Sequence, residues 1–89
     1  LHGQERKKSF KSKTMIEEIT KYISEEIDTD INAEEELLSS GLIDSITIMK
    51  VIAFLEGTYD VKVPPQDMVI ENFNTVQSMG DYLKGQLQS

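Results

Sequence analysis

Three apolar stripes at helical spacing are the feature that most limits the fold of this 89-residue chain. In each stripe, large apolar side chains recur every three or four residues, the pattern of a helix with one buried face. The stripes consist of Met15, Ile16, Ile19, Tyr22, Ile23 and Ile27; of Ile48, Val51, Ile52 and Leu55; and of Val76, Met79, Tyr82, Leu83 and Leu87. A chain of this length forms one domain with one small core. The pattern predicts an all-α fold, a small bundle of three main helices.

Capping residues mark the expected ends of the first two helices. Thr14 followed by Glu17 has the spacing of a capping box, which predicts a first helix over roughly 15–27. Asp44 is a favourable N-cap residue for the second helix. We expect this helix to stop just before Gly57, because glycine commonly follows the last helical residue.

The rest of the chain divides into a long loop, a short helix and a last helix. Residues 28–41 read as a loop between the first two main helices, with a short helical turn possible at 32–38. Residues 67–72 are expected to form one helical turn. Asn74 is the expected N-cap of a last helix over roughly 75–86.

Composition excludes several classes of function. The chain has no cysteine, so disulfides, thiolate zinc sites and cysteine nucleophiles are ruled out, and its one histidine is His2 in a polar segment. We therefore expect no metal site and no catalytic residues. The net charge of −7 opposes nucleic-acid binding. With no long apolar segment and no secretory signal pattern, the sequence predicts a cytoplasmic protein without membrane contact.

Charge is distributed unevenly along the chain. Residues 1–14 contain five basic side chains and one acidic one, whereas residues 15–89 contain four basic and fifteen acidic side chains. The first segment also has few apolar residues, which is typical of disorder. We interpret 1–14 as a disordered basic tail, either left over from expression or part of a linker, and 15–87 as the folded domain.

The acidic loop resembles the start of a calcium-binding loop but lacks its essential residues. Asp28, Asp30 and Asn32 match the first ligand positions of an EF-hand. Ala33 then replaces the required glycine and Ser39 replaces the bidentate glutamate, so a specific site is not expected. The sixteen carboxylates of the chain are typical of a solvated surface, and a catalytic acid needs a buried pocket. The protein is therefore not expected to be an enzyme.

Ser45 is the residue with the clearest chemical potential. It follows the capping residue Asp44 at the end of the long loop, so its hydroxyl is expected in the first turn of a helix. A phosphate ester there would lie near the positive end of the helix dipole and near free backbone N–H groups. Taken alone, this position is more typical of a serine that merely favours helix starts.

The surrounding residues favour the chemical interpretation. Gly41-Leu42-Ile43-Asp44-Ser45-Ile46 resembles the attachment motif of the acyl carrier and peptidyl carrier proteins. The resemblance continues in chain order over about residues 15–87. Its further matches are Leu55-Glu56, Tyr59-Asp60, Val61-Lys62-Val63-Pro64, Thr75-Val76-Gln77 and Asp81-Tyr82. It implies an acyl-carrier-like bundle of three main helices and one short helix, with a long loop between the first two.

This resemblance also implies a function. Ser45 would carry a covalent 4′-phosphopantetheine, transferred from coenzyme A by a phosphopantetheinyl transferase, and Asp44 would cap the helix and help present the serine. The arm would hold an acyl or aminoacyl group as a thioester, with a reactive sulfur that the chain itself lacks. The implied partners are the transferase, an acyl- or amino-acid-activating ligase, and a downstream synthase or transferase. The carrier is expected to be a monomer.

The second helix departs from carriers of fatty-acid synthesis, which usually display acidic residues there. Its stretch 46–53 contains no acid, and Lys50 stands where a glutamate is usual. We therefore expect partners to bind Ile46, Met49, Lys50 and Ala53, with mainly apolar contacts. The same stripe would serve the alternative function, an unmodified helical module that docks other proteins.

The segment after the second helix also departs from those carriers. Residues 64–76 are two residues longer and resemble free-standing carriers of specialised pathways, such as polyketide or nonribosomal peptide synthesis. These carriers hold an amino acid or an unusual acyl unit.

Overall fold

The protein is all-helical over residues 11–88, the part that the computed structural model describes. Helix α1 spans Lys11–Ile27, α2 spans Ser45–Tyr59, α3 spans Ile70–Phe73 and α4 spans Val76–Gln88, with a 3-10 turn at Pro65–Asp67. The prediction of three main helices, one short helix and a long first loop is confirmed. Residues 1–10, most of the predicted basic tail, lie outside the described part. None of the described helices is both long enough and apolar enough to cross a membrane.

One apolar core lies between the three main helices and the loop that joins α1 to α2. Each main helix contributes one face to it, and the loop contributes two side chains. The buried residues are Met15, Ile19, Ile23, Leu37, Ile43, Val51, Ile52, Leu55, Val63, Phe73, Val76, Met79 and Leu83. Burial of these side chains is the main source of stability in a domain of this size. At the α1–α4 contact, Gly80 gives room for Ile16, whose Cδ1 lies 2.5 Å from where a Cβ would stand.

Helix α1 begins earlier than its capping pattern predicted. It starts at Lys11, so Thr14 lies inside the helix and cannot act as its N-cap. Residues 11–13 contain no glycine or proline that would end a helix, and the buried side chain of Met15 holds the adjacent turn against the core. The predicted capping box was therefore wrong, although the predicted C-terminal end at Ile27 is confirmed.

Helix α2 passes through the predicted stop at Gly57 and ends at Tyr59. Asp60 takes the left-handed conformation that ends the helix, with φ of 57°. Tyr59 explains the extension, since its ring packs edge-on against Phe54 with centroids 6.4 Å apart. Its hydroxyl donates to Glu18 Oε1 on α1 at 2.6 Å. These contacts favour one further turn despite the low helix propensity of glycine.

The segment between α2 and α4 also differs in detail from the prediction. The helical turn expected over 67–72 is divided into the 3-10 turn at Pro65–Asp67 and the short helix α3. The N-cap of α4 is Thr75, whose Oγ1 accepts from the backbone N–H of Ser78 at 2.9 Å. Asn74 is therefore not the cap. In the first loop, residues 32–38 form turns rather than a helix.

Candidate functional site

The loop before α2 is closed by backbone hydrogen bonds at its base. The Ile43 N–H donates to the Leu37 carbonyl at 3.1 Å, and both side chains are buried in the core. Within the loop, Gly41 has φ of 80°, a left-handed conformation that favours glycine. Gly41 thus allows the chain to turn, and the buried side chains of Leu37 and Ile43 fix where α2 begins.

Asp44 caps α2 as predicted. Its backbone is extended, and its carboxylate Oδ1 accepts from the Thr47 N–H at 2.8 Å. This hydrogen bond from the backbone of Thr47 lowers the pKa of Asp44 below its ordinary value of 3.8. The carboxylate is thereby held at the helix terminus, where its charge also complements the dipole.

The lowered pKa gives a testable pH dependence. Because the folded-state pKa of Asp44 lies below the unfolded value, its contribution to stability is present above about pH 3.8 and is lost as the pH falls through the folded pKa. Asp44→Asn keeps a capping side chain but cannot titrate. We expect the difference in Tm between the parent and Asp44→Asn to shrink between pH 5 and pH 2, as measured by circular dichroism. A difference that stays constant over this range would contradict the cap assignment.

Ser45 is the first residue of α2, and its side chain is exposed. Its hydroxyl makes no hydrogen bond to any other residue in the described part of the chain. The neighbouring carboxylate of Asp44 accepts from Thr47 instead, and no side chain among the described residues makes a hydrogen bond to the serine oxygen as a general base would. This arrangement suits a serine that another protein modifies, rather than a catalytic nucleophile, which needs an adjacent base.

An apolar pocket of about 190 Å³ opens beside Ser45. One side is formed by α2, with Ser45, Ile48, Met49 and Ile52. The other residues come from the first loop and from the segment around α3, and they are Leu38, Met68, Val69, Ile70 and Phe73. The pocket could cover apolar atoms of a group attached to Ser45, because none of the described residues that line it is charged.

The three apolar residues predicted to bind partners lie on the surface. Ile46 is 68% exposed, Met49 is 54% exposed, and Ala53 is exposed one turn further along α2. They form an apolar stripe that runs from Ser45 towards the middle of the helix. Because no loop or helix within residues 11–88 covers the stripe, this part of the structure leaves it accessible to another protein.

Lys50 adjoins this stripe but already has an acidic partner. Its Nζ donates to Glu26 Oε2 of α1 at 3.0 Å. The hydrogen bond and the charge of Glu26 raise the pKa of Lys50 above 10.5. The net positive character that the sequence suggested for this part of α2 is therefore reduced, and the apolar side chains dominate.

Sequence reasoning missed the residues on the far side of the pocket. Met68, Val69 and Ile70 are exposed apolar side chains that face the same opening as Met49. The signal was a run of three large apolar residues that fits no helical period in the stretch after Pro64-Pro65. Such a run is typical of a segment that lines a groove rather than a core.

Comparison with known proteins identifies the family. Residues 13–83 match the family described as "Phosphopantetheine attachment site". The chain belongs to this family. Ser45, Asp44 and the apolar pocket all lie within the matched residues. The matched domain, residues 13–83, is therefore a carrier domain rather than a catalytic one, and its cofactor is covalent 4′-phosphopantetheine.

Curated relatives point to the same family. The chain is 30% identical to the D-alanyl carrier protein of Lactobacillus delbrueckii subsp. bulgaricus over 53 residues. These residues make up 60% of this chain and 66% of that protein. It is 34% identical over 44 residues to the D-alanyl carrier protein of Lactococcus lactis subsp. cremoris, covering 49% of this chain and 56% of the relative. The chain thus spans less than two thirds of the length of these relatives.

The residues around Ser45 fit the cofactor of the family. The serine oxygen is exposed and has no hydrogen-bond partner among residues 11–88, and it lies at the N-terminus of the 15-residue helix α2, where a phosphate ester is favoured. The apolar pocket next to it offers a surface for the remainder of the arm. Within residues 11–88, no three acidic or histidine side chains converge as metal ligands.

Proposed function

We propose that Ser45 is the attachment residue and that the arm on its oxygen carries an acyl or aminoacyl group to partner enzymes. The observation that supports this most directly is the exposed hydroxyl of Ser45, which has no partner in the described part of the chain and stands at the start of α2 beside an apolar pocket. When bound, 4′-phosphopantetheine supplies a terminal thiol, a group that this cysteine-free chain does not have.

The chain's own residues present the serine rather than activate it. Asp44 orders the first turn of α2 by its bond to Thr47, and the buried Ile43 fixes the approach of the loop. Because neither residue offers a base to Ser45, the hydroxyl proton has to pass to a base of the transferase. Tethering then raises the effective concentration of the cargo at each enzyme that binds the carrier.

The relatives and the segment before α4 bear on the cargo and the pathway. The two relatives described above are D-alanyl carrier proteins, so D-alanine is the first amino acid to test. The length and sequence of residues 64–76 support a free-standing carrier of specialised metabolism. We place it in the cytoplasm as a monomer, with an activating ligase and a downstream synthase or transferase as its other partners.

The proposed function is tested by intact mass. The chain is incubated with coenzyme A, Mg²⁺ and a broad-specificity phosphopantetheinyl transferase. We expect a gain of one phosphopantetheine and no more, because Ser45 is the proposed single acceptor. A folded chain that gains no mass, while a known carrier gains it under the same conditions, would contradict the proposal.

The partner surface is tested by placing a charge in the apolar stripe. Ile46→Asp introduces a carboxylate next to Ser45, where we propose that partners make apolar contacts. We expect kcat/KM of the transferase for the carrier to fall about tenfold, since a charge buried in an apolar interface loses its solvation. Initial rates at several carrier concentrations measure this.

Leu87→Asp is the matched control for the stripe. Leu87 is a similarly exposed apolar side chain on α4, outside the proposed surface. The control is expected to stay within about twofold of the parent, the usual range for an exposed substitution away from a binding surface. Equal losses in the two variants would show that Ile46 has no special role in docking.

A further inference from the structure

The loop that leads to Ser45 receives an unusual set of hydrogen bonds from the link between α3 and α4. Three consecutive backbone N–H groups, those of Leu37, Leu38 and Ser39, all donate to Asn74. The Leu37 N–H donates to the Asn74 carbonyl at 2.7 Å. The Leu38 and Ser39 N–H groups donate to the side-chain oxygen Oδ1 at 2.9 and 3.0 Å.

The amide of Asn74 uses its other end as well. Its Nδ2 donates to Ser39 Oγ at 3.2 Å, and that hydroxyl donates to Glu36 Oε1 at 3.1 Å. One side chain thus satisfies polar groups more than thirty positions earlier in the chain. An unsatisfied N–H group that is partly buried costs free energy, so these bonds select one conformation of the loop.

The hydrogen bonds from Leu37, Leu38 and Ser39 to Asn74 form a clamp, and this clamp is linked to Ser45 through the loop. The Leu37 carbonyl accepts from Ile43, so the three clamped residues and the start of α2 belong to one closed loop. Gly41 donates to the Leu38 carbonyl at 3.1 Å across the same loop. Ser45 follows the closing bond by two residues, so a displacement of the clamped end reaches it through few rotatable bonds.

We propose that Asn74 is a positioning residue, which holds the loop so that Ser45 is presented to the transferase in one conformation. This inference rests on the proposed function of Ser45. Without the clamp, the loop samples several conformations and only a fraction of the molecules are competent to bind. Such a loss raises the apparent KM and leaves the rate of the bound complex nearly unchanged.

The test measures transferase kinetics with Asn74→Ala. We expect KM for the carrier to rise about fivefold while kcat stays within about twofold, because the three side-chain hydrogen bonds that order the loop are lost. Amide hydrogen exchange provides a second measurement, in which the N–H groups of Leu38 and Ser39 become less protected. A KM equal to that of the parent would overturn the proposal.

Asn72→Ala is the matched control. Asn72 is the same residue type in the same segment, and its Nδ2 donates to the Asp67 carbonyl at 2.8 Å, but within the described residues its side chain makes no hydrogen bond to residues 37–43. The control removes one side-chain-to-backbone bond without touching the clamp, so its KM is expected to equal that of the parent. A rise in KM equal to that of Asn74→Ala would show that the effect is general loss of stability, and would overturn the proposal.

Asn74→Asp is the rescue variant. A carboxylate keeps both acceptor bonds to Leu38 and Ser39, loses the donor bond to Ser39 Oγ, and adds a negative charge near Glu36, which accepts from the same hydroxyl. We expect its KM to return to within about twofold of the parent, since the stronger part of the clamp is retained. If Asn74→Ala does not fold, Asn74→Asp and hydrogen exchange in the parent still test the proposal. Unprotected N–H groups at Leu38 and Ser39 in the parent would overturn it. A parent that gains no mass fails the proposed function instead.

Discussion

Replacing Ser45 with alanine is expected to abolish the mass gain of the chain completely. The substitution removes the only oxygen that the proposed reaction modifies, and alanine is tolerated at the first position of a helix. Since the Ser45 side chain is exposed and makes no hydrogen bond within the described residues, the fold does not depend on it. The variant should therefore show the circular dichroism spectrum and Tm of the parent, with no phosphopantetheine in its intact mass.

Thr47→Val is the matched control for Ser45→Ala. Thr47 is the next hydroxyl residue along α2, and valine has the same shape without the hydroxyl. Its backbone N–H still reaches Asp44, so the main bond of the cap is kept while the weaker hydroxyl contact to Asp44 is lost. The control should gain one phosphopantetheine. A mass gain in Ser45→Ala, or its loss in both variants, would contradict the assignment of Ser45.

Replacing Phe73 with alanine is expected to remove a large part of the stability of the domain. Phe73 is almost fully buried in α3, where its ring packs against Tyr82 with centroids 5.5 Å apart. Truncating a buried phenylalanine typically costs about 3–5 kcal/mol, and a domain of this size is stable by only about 4–12 kcal/mol. Denaturation in guanidinium chloride, followed by circular dichroism, should show a large fall in the midpoint or no cooperative transition.

Ile70→Ala is the control for this loss. Ile70 lies in the same short helix and has a comparable apolar volume, but it is 55% exposed at the pocket opening. Its truncation is expected to change stability by at most about 0.5 kcal/mol, as for other surface positions. Similar losses in both variants would show that the core does not depend on the burial of Phe73.

Local sequence patterns predicted the elements better than their ends. The apolar spacing from Met15 to Ile27 and from Val76 to Leu87 is long enough that only a helix accommodates it, and both helices are present. The end of α2 predicted at Gly57 was wrong, because Tyr59 is held in the helix by its contacts with Phe54 and with Glu18 of α1. The contact with Glu18 cannot be read from the local sequence. A capping pattern describes one turn of chain, whereas a helix end is decided by what the neighbouring elements bury.

The candidate site was also predictable in part. Ser45, its cap Asp44 and the glycine turn before them are contiguous, so a motif could identify them from the sequence. The pocket residues Met68 and Val69 were missed because they approach α2 only after the chain has turned at Pro64-Pro65. Asn74 was given the role of a helix cap, and only the fold places its amide against Leu38 and Ser39.

The sequence by itself determined the helical class, the family resemblance and the position of the serine, because each depends on residues close together in the chain. The tertiary structure decided which surfaces remain free. In the fold, Ile46 and Met49 are exposed, and Lys50 forms an ion pair with Glu26. A pocket lies between α2 and the segment around α3. These properties depend on contacts between residues far apart in sequence, and such contacts exist only after the helices have packed.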